Sequence, residues 1–209
     1  MRRALFIFRR DLRLEDNRAL LSAMKFADET ILCFIFTPEQ IENNPYRSER
    51  CLQFMIESLE DLEHEIKERK GVLHLFYDKP ERVVEQCIEK LNIVGVFLNQ
   101  DYTPYSIQRD EKIKAVCDRH AVHFQAEHDL LLHPIEETLK TDKTPYTVFT
   151  PFYRRLSALD VASPQKSYSG IFYSKPIPFS AEKSLYKKIL KNRLEQAPGG
   201  RKEALKILK

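Results

Sequence analysis

The chain contains no tryptophan and only five glycines, Gly71, Gly95, Gly170, Gly199 and Gly200. None of them is spaced as G-x-G-x-x-G or as a G-x-x-x-x-G-K-[ST] loop, so both common backbone cradles for phosphate are missing, which disfavours a dinucleotide dehydrogenase or a P-loop NTPase. A G-x-S-x-G elbow is missing too, and no Ser, His and Asp spacing points to a hydrolase. The four cysteines, Cys33, Cys51, Cys87 and Cys117, form no C-x-x-C pair. They read as reduced, mostly buried thiols of a cytoplasmic protein. The six histidines are scattered without a metal-ligand pattern, and His120 and His123 are expected to flank the start of a strand. No apolar run approaches the ~18 to 20 residues of a membrane span. The run Ala4–Phe8 behind Arg2 and Arg3 is too short for a signal peptide.

What is present is the material of an ordinary folded domain: 209 residues, 43% of them hydrophobic. The formal charge of +3 is uneven, because residues 182–209 carry nine Lys and Arg against three Glu, leaving 25 basic against 28 acidic residues before them. A slightly acidic body argues against a phosphate-tracking nucleic-acid surface. The basic end reads as solvated helix faces.

Short apolar runs at Ala4–Phe8, Thr30–Phe36, Val72–Tyr77, Val94–Asn99 and Val122–Phe124 alternate with longer periodic segments, which is the βαβα pattern. Ile31-Leu32-Cys33-Phe34-Ile35-Phe36 is apolar on both faces, as expected of a parallel strand covered by helices on each side. Asp16 is expected to cap a helix beginning at Asn17, Pro80 to open another, and Gly71 to end a long helix from about residue 47 to 70. Leu52, Met55, Ile56, Leu59, Leu62 and Ile66 form the core-facing stripe of that helix. From Ser157 to Ser180 prolines, serines and isolated aromatics replace any sustained period, and the segment reads as a connector. Pro198-Gly199-Gly200 breaks the chain again before a new helical pattern at Arg201–Lys209.

In an open sheet of strand order 3-2-1-4-5, ligands bind beyond the carboxyl ends of the strands where the order reverses. The candidate site is therefore Arg9-Arg10-Asp11 facing Asn99-Gln100-Asp101-Tyr102-Thr103. Whether these groups bind a ligand or only cap and pair across the loops stays open on the residues alone.

Three ordered strings resemble the DNA photolyase/cryptochrome family. Phe8-Arg9-Arg10-Asp11-Leu12-Arg13-Leu14-Glu15-Asp16-Asn17-Arg18-Ala19-Leu20 is similar to its opening F-R-x-D-L-R-x-x-D-N-x-A-L. Asn99-Gln100-Asp101-Tyr102-Thr103-Pro104-Tyr105 with Arg109-Asp110 resembles the segment after its fourth strand. Thr144-Pro145-Tyr146-Thr147-Val148-Phe149-Thr150-Pro151-Phe152-Tyr153-Arg154 resembles the string that closes its α/β domain. Gly199-Gly200-Arg201 with Ala204-Leu205 resembles the start of its helical domain.

The resemblance implies a doubly wound, five-stranded parallel sheet, Rossmann-like, in residues 1–156, an interdomain connector in 157–198, and the start of a helical FAD-binding domain in 199–209. It further implies the light-harvesting, or antenna, domain of a light-driven lyase that splits cyclobutane pyrimidine dimers. FAD and damaged DNA would be held by a helical domain beyond this sequence. No catalytic residue of that chemistry maps onto this chain, so the chain alone is expected to be inactive, with no membrane partner and with its end open to self-association. The rival readings are a cryptochrome-type photoreceptor domain and a free-standing nucleotide- or flavin-binding module.

The antenna chromophore is expected over Phe8, Arg9, Asp11, Phe36, Arg50, Phe54, Asp101, Thr103 and Ser106. Folate-binding relatives carry an asparagine and a glutamate where this chain has Tyr105 and Ser106, so a folate is disfavoured. Asp101 stands where deazaflavin-binding relatives also have aspartate, while Thr103 replaces their glutamate. A flavin or deazaflavin is the implied ligand.

Overall fold

The computed structural model describes residues 1–42, 44–165 and 169–208. The strands are β1 (Arg3–Phe8), β2 (Glu29–Phe36), β3 (Leu73–Tyr77), β4 (Ile93–Asn99), β5 (His123–Glu127) and the two-residue β6 (Ile171–Phe172). The helices are α1 (Arg18–Phe26), α2 (Pro38–Ile41), α3 (Glu49–Glu68), α4 (Pro80–Leu91), α5 (Pro104–Arg119), α6 (Phe149–Leu156), α7 (Ser184–Ile189) and α8 (Arg201–Ile207). The sheet order is β3-β2-β1-β4-β5, all parallel, as the alternation of strands and helices implies.

Strand periodicity divides the core in two. Ala4, Phe6 and Phe8 of β1 join Leu32, Phe34 and Phe36 of β2 beneath α1 and α3. Leu5 and Ile7 join Ile31, Cys33 and Ile35 beneath α4 and α5. Alternate side chains point to opposite faces, so a strand buried on both sides must be apolar throughout. Cys33, Cys87 and Cys117 are buried in the second layer, and burial pushes the thiols of Cys87 and Cys117 up to about 12. Cys51 is exposed.

Two helix ends differ from expectation. Asn17, not Asp16, is the N-cap of α1, its side chain accepting from Leu20 N at 3.2 Å, while Asp16 takes a positive φ of 50° in the turn before it. At the end of α3 the left-handed residue is Lys70, φ 59°, and not Gly71. Gly71 is needed for closeness instead: a Cβ there would lie 2.8 Å from Phe172 Cβ. His120 caps α5 and His123 opens β5, flanking the strand start as expected.

The segment read as a connector is built into the sheet. β6 pairs with the first residues of β2, Glu29 with Ile171 and Thr30 with Phe172, where β3 has not yet begun its pairing at Leu32. Tyr173 N donates to Thr30 O at 2.9 Å and Ala181 N to Leu75 O at 2.6 Å. Phe172, Tyr173, Ile177, Leu185, Tyr186 and Ile189 are buried. Residues 166–168 of that segment, and Lys209 at the end of the last helical pattern, lie outside the described residues. α6 behaves differently: Val148, Phe149 and Tyr153 are exposed, with Phe149 stacked on Tyr153.

Candidate functional site

Asp11, in the turn after β1, organises the carboxyl end of the sheet. It is buried and accepts from Arg9 N at 2.7 Å, from Asn17 Nδ2 at 3.1 Å and from Asn99 Nδ2 at 2.5 Å. Asn99 Nδ2 also reaches Asn17 Oδ1 at 2.8 Å, and its Oδ1 takes Ala19 N at 3.2 Å. The first turn of α1, the loop after β1 and the end of β4 are thus locked through one carboxylate. Burial pushes the Asp11 carboxyl up from its ordinary value, while the hydrogen bonds from Arg9 and Asn99 pull it down. A buried carboxylate with several donors is rigid scaffold.

Above this scaffold lies a cavity of about 200 Å³. Ile7, Phe8, Arg9 and Arg10 of β1 and its turn, Phe34 and Ile35 of β2, and Thr37 and Gln40 behind them form one side. Asp101, Thr103, Tyr105, Ser106 and Arg109 form the other, with Met55 and Pro80 at the flanks. Thr103 caps α5 through Ser106 N at 3.2 Å and donates to Ser106 Oγ at 2.8 Å, holding both hydroxyls at the cavity edge. The Arg9 side chain is largely covered and forks onto Asp110, Nη1 to Oδ2 at 2.7 Å and Nη2 to Oδ1 at 2.6 Å. Arg10, largely exposed, reaches Asp101 at 3.3 Å. The walls are apolar and the rim is polar and charged, the usual construction of a small-molecule site.

Of the residues expected at the chromophore, Phe8, Arg9, Asp101, Thr103 and Ser106 line this cavity, and Asp11 supports it from behind. Phe36, Arg50 and Phe54 do not. Phe36 lies in the core against Phe34 and Tyr186 of α7, with ring centroids at 4.8 and 6.1 Å. Arg50 donates to Glu195 O at 3.0 Å, and Phe54 is half exposed beside Gly199. Both are engaged by the late segment. The α3 residue that reaches the cavity is Met55. The apolar stripe of that helix already contained Met55 and not Phe54, so the helical period carried the signal for the residue that faces the cavity. Gln40 and Thr37 carried no comparable signal, because α2 is a four-residue helix entered through Pro38.

Other polar groups gather less convincingly. Glu85, Glu89 and His120 place donor atoms within 4.8 Å of one another, an arrangement invisible in the sequence, but Arg119 already pairs with Glu85 at 3.1 Å. No helix among the described residues is long and apolar enough to cross a membrane.

A parallel sheet of order 3-2-1-4-5 with a cavity at its reversal defines a doubly wound α/β domain, the class in which ligands are met at that place. The chain belongs to the DNA photolyase family, whose sequence model matches residues 4–167, and its fold is that of the family's N-terminal α/β domain. A deoxyribodipyrimidine photo-lyase of Synechococcus sp. PCC 6301 is 28% identical over 160 residues, 77% of this chain and 33% of that protein. An uncharacterized 31.6 kDa protein of Synechococcus sp. PCC 6716 is 31% identical over 160 residues, 77% of this chain and 56% of that one. The crystal structure of an archaeal photolyase from Sulfolobus tokodaii, described with two FAD molecules and a novel light-harvesting cofactor, superposes with a TM-score of 0.88 at 37% identity, covering 99% of this chain and 46% of that one. The chain therefore spans about half, or less, of the length of these relatives.

Proposed function

We propose that this chain is the antenna-type domain of a light-driven DNA repair photolyase and that it holds a flavin in the cavity between the turns after β1 and β4. The observation that carries the reading is the position and lining of that cavity: it opens at the strand reversal, between apolar walls of Phe8, Phe34, Ile35 and Met55, with Asp101, Thr103 and Ser106 offering hydrogen bonds. The similar Sulfolobus tokodaii photolyase, with its two FAD molecules, makes a flavin the first ligand to consider. A planar ring system between such walls is held by burial and oriented by a few polar groups. A flavin held there would supply the absorption of light, and the residues around it would hold and orient its ring.

The chain's own residues do the positioning. Asp11 fixes the turn that carries Arg9 and Arg10, Thr103 fixes the first turn of α5, and the fork of Arg9 on Asp110 ties α5 to β1. The catalytic FAD, the damaged DNA and the splitting of the dimer belong, on this reading, to a helical domain of the whole protein, to which residues 199–209 lead. Residues 1–209 alone are expected to be inert in an illuminated thymine-dimer repair assay.

The test is titration of the purified chain with FMN, a deazaflavin and a reduced folate. Flavin is expected to bind best, with Asp101→Ala weakening it by about tenfold, the loss of one good polar contact. Phe54→Ala, outside the cavity, is expected to leave binding unchanged. Folate binding best, or Asp101→Ala without effect, would show that the site lies elsewhere.

A further inference from the structure

The sheet treats its two edges differently. At one edge β3 is covered by the late segment: Ala181 N donates to Leu75 O at 2.6 Å, and Tyr173 and Phe179 lie against His74 and Phe76, ring centres 5.8 Å apart in each pair. At the other edge β5 pairs only with β4 among the described residues. An open edge is ordinarily blunted by lysine, proline or a bulge, because its unpaired N–H and C=O groups invite another strand. His123-Phe124-Gln125-Ala126-Glu127 has none of these, and its register with β4 runs unbroken from end to end.

Backbone direction decides which groups are on offer. Glu127 O accepts from Gln100 N at 2.8 Å, so Glu127 turns its backbone toward the β4 side. Successive residues of a strand direct their backbone groups to opposite sides, so Gln125 and His123 face β4 as well, and Phe124 and Ala126 point N–H and C=O outward. An antiparallel copy centred on Gln125 sets Phe124 opposite Ala126 of the second copy, two outward residues that exchange their hydrogen bonds. The two-fold axis repeats the exchange.

The side chains agree with that register. On one face the large Phe124 meets the small Ala126, both partly buried against the second core layer and both lining an apolar groove with Ile107 of α5, which is about half exposed. On the other face His123 meets Glu127. The His123 ring is held by stacking on Phe26 at 4.7 Å, with its Nε2 3.0 Å from Gln125 Oε1. Glu127 receives Ser22 Oγ at 3.1 Å and Gln125 Nε2 at 2.5 Å, both on Oε1, which leaves Oε2 for a donor across the seam. An imidazole and a carboxylate therefore stand opposite each other twice, and no like charges are paired within the strands.

We propose that β5 is a self-association edge, at which two copies of this chain join antiparallel about Gln125 into one continuous sheet. The occupant is a second copy because the five residues are complementary to themselves in reverse. Five residues a side bury less than the ~1,200–2,000 Å² of a stable interface, so the dimer is reversible and concentration-dependent. This inference stands apart from the reading of the cavity.

Sedimentation equilibrium of the purified chain from micromolar to millimolar concentration tests it. Dimer is expected to rise with concentration, and amide exchange at Phe124 and Ala126 to slow with it, while Gln125, bonded to β4, stays unchanged. Ala126→Pro removes an N–H that β4 does not use, and proline is tolerated on an edge strand. It is expected to weaken association at least about tenfold with the fold retained. His123→Glu, at an exposed position and independent of the proline, sets carboxylates opposite each other twice and is expected to weaken association by about tenfold as well. Adding Glu127→His restores opposite partners and should recover most of that loss, which a merely structural effect at either position would not do. A chain monomeric at millimolar concentration, a dimer indifferent to Ala126→Pro, or a double variant no stronger than His123→Glu alone would overturn the assignment of this edge.

Discussion

At the carboxyl end of β1 and β4 a buried carboxylate gathers donors from three chain segments, whereas along α3 a row of side chains, buried at Gln53 and more exposed beyond it, takes the backbone of one late segment. In the first region Asp11, Asn17 and Asn99 satisfy one another, and no member has an alternative partner in water. In the second, Gln53 Oε1 accepts from Leu194 N at 2.6 Å, Glu57 from Gly199 N at 2.8 Å, Ser58 from Gly200 N at 3.0 Å and Asp61 from Lys202 N at 3.0 Å. These bonds are partly exposed and singly replaceable by water. The same bond lengths therefore carry different free energies: a network sealed from solvent fails as a unit, and a ladder at the surface fails rung by rung.

The sharpest way to break the comparison is Asp11→Ala. It strands Arg9 N and unsettles both asparagines, and a loss of roughly 3–5 kcal/mol is expected, because each orphaned buried donor carries its own desolvation cost. Urea denaturation measures it, and a loss below that of any single rung on α3 would refute the distinction.

Outside both regions His74 of β3 is buried against Tyr173, its ring centre 5.8 Å from the tyrosine's, with Nε2 unpartnered. Burial lowers its pKa from 6.5 to about 4. A depressed folded-state value means that stability is fully present above pH 6.5 and declines as the pH falls toward 4, because the unfolded chain takes up the proton first. The decline is expected to reach roughly 3 kcal/mol by pH 4. His74→Leu should flatten that part of the stability curve, and an unchanged acid limb would contradict the assignment.

Gly199 tests the ladder. A Cβ there would lie 2.3 Å from Phe54 O, and Gly200 takes φ +109°, so neither tolerates a side chain while the segment stays seated. Gly199→Ala is expected to cost about 1–2 kcal/mol, within the usual range for overpacking. Faster amide exchange should be confined to residues 194–204, and exchange spreading to β1 or β4 would mean that the late segment supports the site. The smallest effect is assigned to Glu57→Gln, which keeps an acceptor for Gly199 N and should change stability by less than about 0.5 kcal/mol.

The order of the sheet, its parallel sense and the two-faced burial of β2 were legible because each is written locally, in runs of apolar residues and their spacing. The turn residues after β1 and β4 were legible for the same reason: strand ends at a reversal meet whatever else the chain does. The stripe on α3 also marked Met55 for the interior, and the expectation of Phe54 departed from it. Phe36 and Arg50 stand away from the cavity for a different reason. Both stand near the opening by sequence position, but Tyr186 covers the one and Glu195 engages the other, from a segment whose irregular composition gave no sign of packing.

By itself, then, the sequence determined the family, the five-strand order and the two turns that meet at the strand reversal, since these follow from short-range pattern and from motifs contiguous in the chain, whereas the joining of Asp11 to Asn99 is made across 88 residues. Only the tertiary structure decided that residues 170–202 are fastened to β2, β3 and α3, that Arg9 and Arg109 share Asp110, and which side chains were left to line the cavity. The physical reason is one of range. Periodicity reports which face of an element is buried, but the partner that buries it can lie more than a hundred residues away, and that choice is made by packing the whole chain at once.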